Sequence, residues 1–314
     1  MRAYLIRRLL LLIPVTFGVV TVSFILIKAI PGDPIDVLMG MTVNISSEEK
    51  DRIRNEPGLN DPMLVQYGRY IGGIVKGDLG NSIQTRAPVT YEIAQRLPDT
   101  LILTSSSMLI VIVLSIPLGI LSAVKRGTWI DTAAMTLAMI GVSMPAFWFG
   151  IMLMLLFGLY LDLLPTMGQG KTFLTYIQSL ILPSVTLSLV LLGLATRMVR
   201  SSMLEVLKQD YVRTAHAKGL AVWPILTKHA LPNAFIPVLT VFTGQFAIVL
   251  GGAVIIEAVF AWPGLGRLAV MAIFQRDYLV VTGTVLVFSA MIIVINLLND
   301  ILYSVLDPRV RTDK

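Results

Sequence analysis

Long uninterrupted apolar runs, not the short alternating patterns of a soluble core, organise this chain. A helix needs about 20 such residues to cross the hydrocarbon core of a bilayer. Six runs approach or exceed that length: residues 9–27, 100–124, 132–160, 180–199, 234–261 and 279–305. The first follows the basic Arg2, Arg7 and Arg8, as a signal peptide would. It is too long for one, and no small-residue cleavage site follows, so it is expected to remain as a span. Between the first two runs, residues 32–99 carry helix signals of their own. Ser46 with Glu49 has the capping-box spacing. Asp61-Pro62 is a good helix start, with Leu64, Tyr67, Ile71 and Ile74 at helical spacing and Gly77 as a stop. A third short helix is expected over residues 88–97.

Composition narrows the class. Of 314 residues, 55% are hydrophobic and only 14% charged, where a soluble globular chain carries about 25% charged residues. An integral membrane protein with several spans is the class that fits. With no cysteine, disulfide frameworks, thiolate metal sites and thiol catalysis are excluded. The net charge of +6 points to the lipid bilayer and not to nucleic acid, because the basic residues are sorted by loop. With the N-terminus inside, the inside segments hold Arg2, Arg7, Arg8, Lys125, Arg126, Arg197, Arg200, Lys208, Arg213, Lys218, Lys228, Arg309, Arg311 and Lys314. The short outside loops hold only Lys171, Arg267 and Arg276. That asymmetry predicts both termini on the cytoplasmic side. The expected organisation is a tail and first transmembrane helix over residues 1–31, an extracytoplasmic helical segment over 32–99, and a transmembrane core over 100–314.

The inside loop at about residues 200–233 is the most patterned part of that core. Asp210 can cap a helix bearing Tyr211, Thr214, Ala215 and Lys218, which Gly219 can stop. Pro224 is expected to restart a second short helix that ends before Pro232. An ordinary structured loop would show the same periodicity.

Several motifs together resemble a known family. Arg213-Thr214-Ala215, then Gly219 four residues on and Leu231-Pro232 later, resembles the cytoplasmic loop of binding-protein-dependent ABC importer permeases. Their pattern is Glu-Ala-Ala, three residues, Gly, and a later Leu-Pro; here Arg213 and Thr214 replace its first two residues. Further segments are similar to the dipeptide/oligopeptide/nickel branch. They include Ile30-Pro31-Gly32-Asp33-Pro34, Lys76-Gly77-Asp78-Leu79-Gly80, Ser143-Met144-Pro145 with Phe147-Trp148, Arg200-Ser201-Ser202-Met203, Trp262-Pro263-Gly264-Leu265-Gly266-Arg267, Arg276-Asp277-Tyr278 and Asp307-Pro308-Arg309. The resemblance implies an all-α fold of six transmembrane helices, the type I ABC importer permease fold, in the bacterial inner membrane. It implies a second homologous permease subunit, two cytoplasmic ATPase subunits and an extracytoplasmic solute-binding protein as partners. It makes Tyr211, Arg213, Thr214, Ala215, Ala217, Lys218, Gly219, Leu231 and Pro232 the ATPase-docking loop, with no cofactor on this chain and ATP and Mg held by the partner subunits. Cargo in this branch includes peptides, nickel chelates and related small solutes.

No nucleotide motif competes with that reading. Gly170-Lys171-Thr172 looks like a P-loop ending, but position 165 is Pro where the pattern needs Gly. For the translocation path, Ser143, Met144, Pro145, Phe147 and Trp148 are candidates because proline breaks a span only where neighbours or a cavity satisfy the freed backbone. A simple kink reads equally well. Glu257 is a candidate because a carboxylate inside a span is expensive; a partner for Arg267 or for helix-end backbone is its other reading. His216 and His229, thirteen residues apart, lack metal-ligand spacing. An autonomous secondary transporter or channel would call for inverted repeats, and an intramembrane enzyme for a buried nucleophile–base pair. Neither pattern is present in the sequence.

Overall fold

A computed structural model describes residues 14, 16–22, 24, 25 and 61–306, and among them there is no β-strand. The expected capping box at Ser46 lies outside the described residues. The helices are α1 (Met63–Val75), α2 (Val89–Val124), α3 (Trp129–Ser143), α4 (Ala146–Leu153), α5 (Phe173–Val206), α6 (Asp210–Ala217), α7 (Leu231–Val259), α8 (Leu265–Phe274) and α9 (Tyr278–Leu306). Helix α4 continues as a π-helix over Met154–Tyr160, and a second π-helix, Ile225–Ala230, leads into α7. In hydrocarbon every backbone donor and acceptor must be met within the segment, and the uncharged runs read from the sequence do this as helices. Helices α2, α5, α7 and α9 are each long and apolar enough to cross a membrane, and α3 with α4 and its π-helical continuation are so only taken together, as a bent pair. Of the predicted first span, residues 14, 16–22, 24 and 25 are described, and they are helical.

The chain forms two compact units. One comprises residues 99–263 and 292–306, the other residues 61–98 and 264–291 together with those described before residue 26. In the larger unit α5 is central. Its Leu182, Leu187, Leu191, Ala195, Val199 and Met203 are all buried, and it packs along both α3 and α7. Close approach of α5 to α3 depends on Gly193, where a Cβ would stand 2.1 Å from the Ala138 carbonyl oxygen. At one end of the unit, buried Trp262 donates its indole N–H to the Asp99 carbonyl at 3.0 Å and meets the Tyr176 ring at 5.5 Å.

The smaller unit is built on Val89, Ile93, Leu265, Ala272 and Val280. Asp277 pins it. One carboxylate oxygen accepts from Ser82 Oγ at 2.6 Å and from the Ile83 and Gln84 amides, while the other accepts from the Val280 amide in the first turn of α9.

Three expectations are revised. The predicted short helix at 88–97 is not separate: α2 runs unbroken from Val89 to Val124, about 54 Å at 1.5 Å per residue. Its polar first turns extend the span beyond the roughly 30 Å hydrocarbon core. Asp61 does not cap α1. Pro62 takes that position, and Asp61 instead receives Arg69 Nη2 at 2.7 Å. The segment after Trp262, expected as a short outside loop, contains the ten-residue helix α8.

Candidate functional site

The loop after α5 is a compact element with its own small core. Helix α6 starts three residues beyond Leu207 and ends in paired hydrogen bonds, Gly219 N–H to the His216 carbonyl at 2.9 Å and Leu220 N–H to the Ala215 carbonyl at 3.3 Å. These two bonds define a Schellman stop, and Gly219 supplies the positive φ it needs, +73°. Val212 and Ala215 turn inward against Ile225 and Leu207. Ala215 therefore packs within the loop, while Tyr211, Arg213, Thr214, Ala217, Lys218 and Gly219 face outward. Arg213 Nη1 donates to Asp210 across one turn at 3.2 Å.

The second helix of the loop differs from expectation. It begins at Val222, and it does not stop before Pro232. A turn over Val222–Pro224 passes through the π-helix Ile225–Ala230 directly into α7. A proline deprives the preceding turn of a donor, and the wider π turn accommodates Leu231 and the exposed Pro232 near the start of a continuous helix. Four apolar side chains remain exposed on this element: Tyr211, Leu220, Val222 and Trp223, the last 71% accessible. With Arg213 and Lys218 nearby in sequence, the loop presents an aromatic and basic surface.

The second candidate region is the broken span. Met144 and Pro145 are both extended, with ψ of 138° and 128°, the conformation imposed on a residue before proline. Helices α3 and α4 meet there at 105°. Ser143 turns its hydroxyl back to the Met139 carbonyl at 2.9 Å. Met144 and Phe147 line a groove of about 270 Å³ with Leu187, Leu191, Val249 and Gly252. Met144 also lines a second groove, about 330 Å³, with Leu118, Ala138 and Gly193 among its walls. Both walls are almost wholly apolar. Trp148 is exposed but is not part of either lining. Nor is Glu257, which is fully buried and accepts a 2.6 Å hydrogen bond from Thr100 Oγ1. The structure thus brings Met144 and Phe147 together on one groove and sets Glu257 apart from it.

Comparison with known proteins decides the family. Residues 115–312 match the family model of the binding-protein-dependent transport system inner membrane component, and residues 1–104 match the N-terminal model of the same systems. The chain belongs to this permease family. Full-length relatives agree. The dipeptide transport system permease protein DppB of Escherichia coli K12 is 40% identical, with all of both chains covered. The oligopeptide transport system permease protein AppB of Bacillus subtilis 168 is also 40% identical, over 99% of each chain. An inward-facing structure of the MetNI methionine ABC transporter superposes with a TM-score of 0.59 at 18% identity, covering 69% of this chain and 97% of that one. That likeness is one of fold, the type I importer permease fold; that the permease is a membrane transport subunit rests on the family model and the full-length relatives.

Two features of the permease escape sequence reasoning. Trp223 is one of the more exposed aromatics of the loop and was hidden by the expectation of a helix starting at Pro224. Asp131, in the first turn of α3, is buried and bonded to Arg200 of α5; the 68 residues between them conceal the pairing. An acidic residue at the rim of an apolar run marks Asp131 as unusual but does not point to its partner.

Proposed function

We propose that this permease imports peptides or a related small solute across the bacterial inner membrane, coupled to ATP hydrolysis on separate subunits. The exposed face of α6, closed by Gly219 and continued by Trp223, is the observation that carries the reading. Aromatic and arginine side chains are the usual anchors of protein interfaces; Tyr211 and Arg213 stand on α6, Lys218 at its C-cap, and Trp223 in the turn just beyond the Gly219 stop. In this reading the loop and both termini are cytoplasmic, and the loop seats in a groove of an ATPase. Two such ATPases hold ATP and Mg, and this chain holds no cofactor. A second homologous permease completes the path, and an extracytoplasmic solute-binding protein delivers cargo. ATP binding and hydrolysis then switch which side of the path is open. Ser143, Met144, Pro145, Phe147, Trp148 and Glu257 are the path candidates, of which Met144 and Phe147 stand on an apolar groove suited to side chains of varied shape.

The full-length likeness to dipeptide and oligopeptide permeases favours peptide cargo. Bare nickel is disfavoured on chemical grounds. Imidazole and thiolate suit such ions, and this chain has no Cys and only two His, both in the loop. A nickel chelate remains chemically compatible with the apolar groove. The test is uptake into proteoliposomes holding the complete transporter and its binding protein. Labelled di- and oligopeptides should accumulate only with ATP. Accumulation without ATP, or of hydrated nickel in the absence of chelators and peptides, would contradict the proposal.

A further inference from the structure

Asp131 accepts four hydrogen bonds inside the larger unit. Arg200 donates from Nε to Oδ1 and from Nη2 to Oδ2, each at 2.7 Å. Ser122 Oγ donates a short bond to Oδ1, and the Gly127 amide donates to Oδ2 at 3.0 Å. Asp131 is 6% exposed. One carboxylate therefore ties together the end of α2, the turn after it, the first turn of α3 and the last third of α5. Bidentate arginine–carboxylate pairing fixes orientation as well as distance, so α3 and α5 are held in a single register at this point.

Two close backbone approaches lie on the α3–α5 seam beyond the pair. Gly193 lies against the Ala138 carbonyl, and at Gly141 a Cβ would stand 3.1 Å from the Leu189 carbonyl. These approaches hold the two helix backbones close together over the middle of α3. Arg200 is six residues from the end of α5 at Val206, which leads by a short turn to α6. Asp131 is on the helix that ends at the Met144 elbow. A buried ion pair is weak evidence of added stability, since its desolvation can cancel its attraction. What this one supplies is a fixed connection between the stem of the α6 loop and the helix leading to the elbow.

We infer that Asp131 and Arg200 are positioning residues for transport: the joint through which movement of the α6 loop turns α3 as a lever about Met144 and Pro145. Met144 lines both grooves, so rotation there changes the walls of each. This rests on the reading of α6 as the ATPase contact. The pair is not itself in the path, and its role is to make ATP turnover and cargo movement proceed together.

The experiment uses the assembled transporter with its binding protein and reads two numbers, ATP hydrolysed and peptide moved. Asp131→Asn weakens the pair by removing the negative charge, and Arg200→Lys keeps the positive charge but loses the bidentate fork. Both should assemble and hydrolyse ATP while peptide moved per ATP falls about ten-fold, within the range by which coupling residues act. The chain has no cysteine, so a Asp131→Cys/Arg200→Cys double variant, with the partners' cysteines replaced, offers a direct rescue. It should be uncoupled as made and regain most of the native ratio once a short bifunctional thiol reagent joins the two positions. A native ratio in the assembled single variants would overturn the inference, as would a cross-link that restores nothing. Failure of every variant to assemble assigns the pair to folding alone and equally overturns it. A native chain that purifies without any ATPase is a different result: it fails the reading of the loop, whatever the pair does.

Discussion

Gly193 of α5 faces the carbonyl oxygen of Ala138 in α3 so closely that a Cβ on the glycine would lie 2.1 Å from it. The obstacle is backbone, not the end of a mobile side chain, so the two helices must separate to admit any larger residue. Overpacking of this kind costs about 1–3 kcal/mol or more. Gly193→Val should lower the thermal unfolding temperature of the detergent-purified permease, whereas Gly251→Ala, where a Cβ meets nothing within 4 Å, should not. Equal stability of the two variants would mean that the α3–α5 contact is looser than described.

The smaller unit hangs on Asp277 in the same way. Removing its carboxylate strips partners from Ser82 Oγ and from the amides of Ile83, Gln84 and Val280. A buried polar group left unsatisfied costs about 1–3 kcal/mol, so Asp277→Ala should destabilise by about 3 kcal/mol or more. Limited proteolysis should then cut between residues 81 and 87 ahead of the native protein, and an unchanged cleavage pattern would speak against the pin.

How much of this was legible in the sequence depended on the range of the interaction responsible. Spans α5, α7 and α9 follow from runs of apolar residues, because hydrocarbon burial is a property of each run alone. Gly219 was legible because a positive-φ helix stop selects glycine locally, and Pro145 because proline constrains its own neighbour. Helix α2 was misread as two elements. Glu92, Arg96, Pro98 and Asp99 mark a change of surroundings, and the hydrogen bonds of a helix, all within the segment, continue across such a change. Helix α8 was missed because ten residues are too few for a span, although Leu265, Leu268 and Ala272 at helical spacing marked its packed face. The Asp131–Arg200 pair could not be read at all: long-range pairing leaves no trace in local pattern.

Gly219 separates backbone from side-chain effects in the loop. Gly219→Val cannot adopt a φ of +73° without strain, while Asn tolerates that region. Gly219→Val should reduce the ATPase recovered with the tagged permease and leave its membrane insertion unchanged, and Gly219→Asn should retain most of it. Normal peptide uptake by Gly219→Val would show that the helix stop does not matter to coupling.

Trp223 is 71% exposed, a large apolar surface to leave in water unless a partner covers it. If it is an interface anchor, Trp223→Ala should weaken ATPase binding by about 2 kcal/mol or more, roughly thirty-fold in Kd. The unfolding temperature of the isolated permease should stay unchanged, because the side chain packs on little of its own protein. A loss of stability with unaltered ATPase affinity would place Trp223 in the fold and not at an interface.

In the proposed mechanism, ATP-driven movement enters the membrane part through α6. Ala217 faces outward from α6, and in this cysteine-free chain Ala217→Cys introduces the sole thiol. The decisive measurement is cross-linking from that thiol in the assembled transporter, with and without ATP. The expected result is a cross-link to an ATPase subunit whose yield changes on ATP binding. A cross-link only to the solute-binding protein, or none to an ATPase in a complex that still imports peptide, would contradict it.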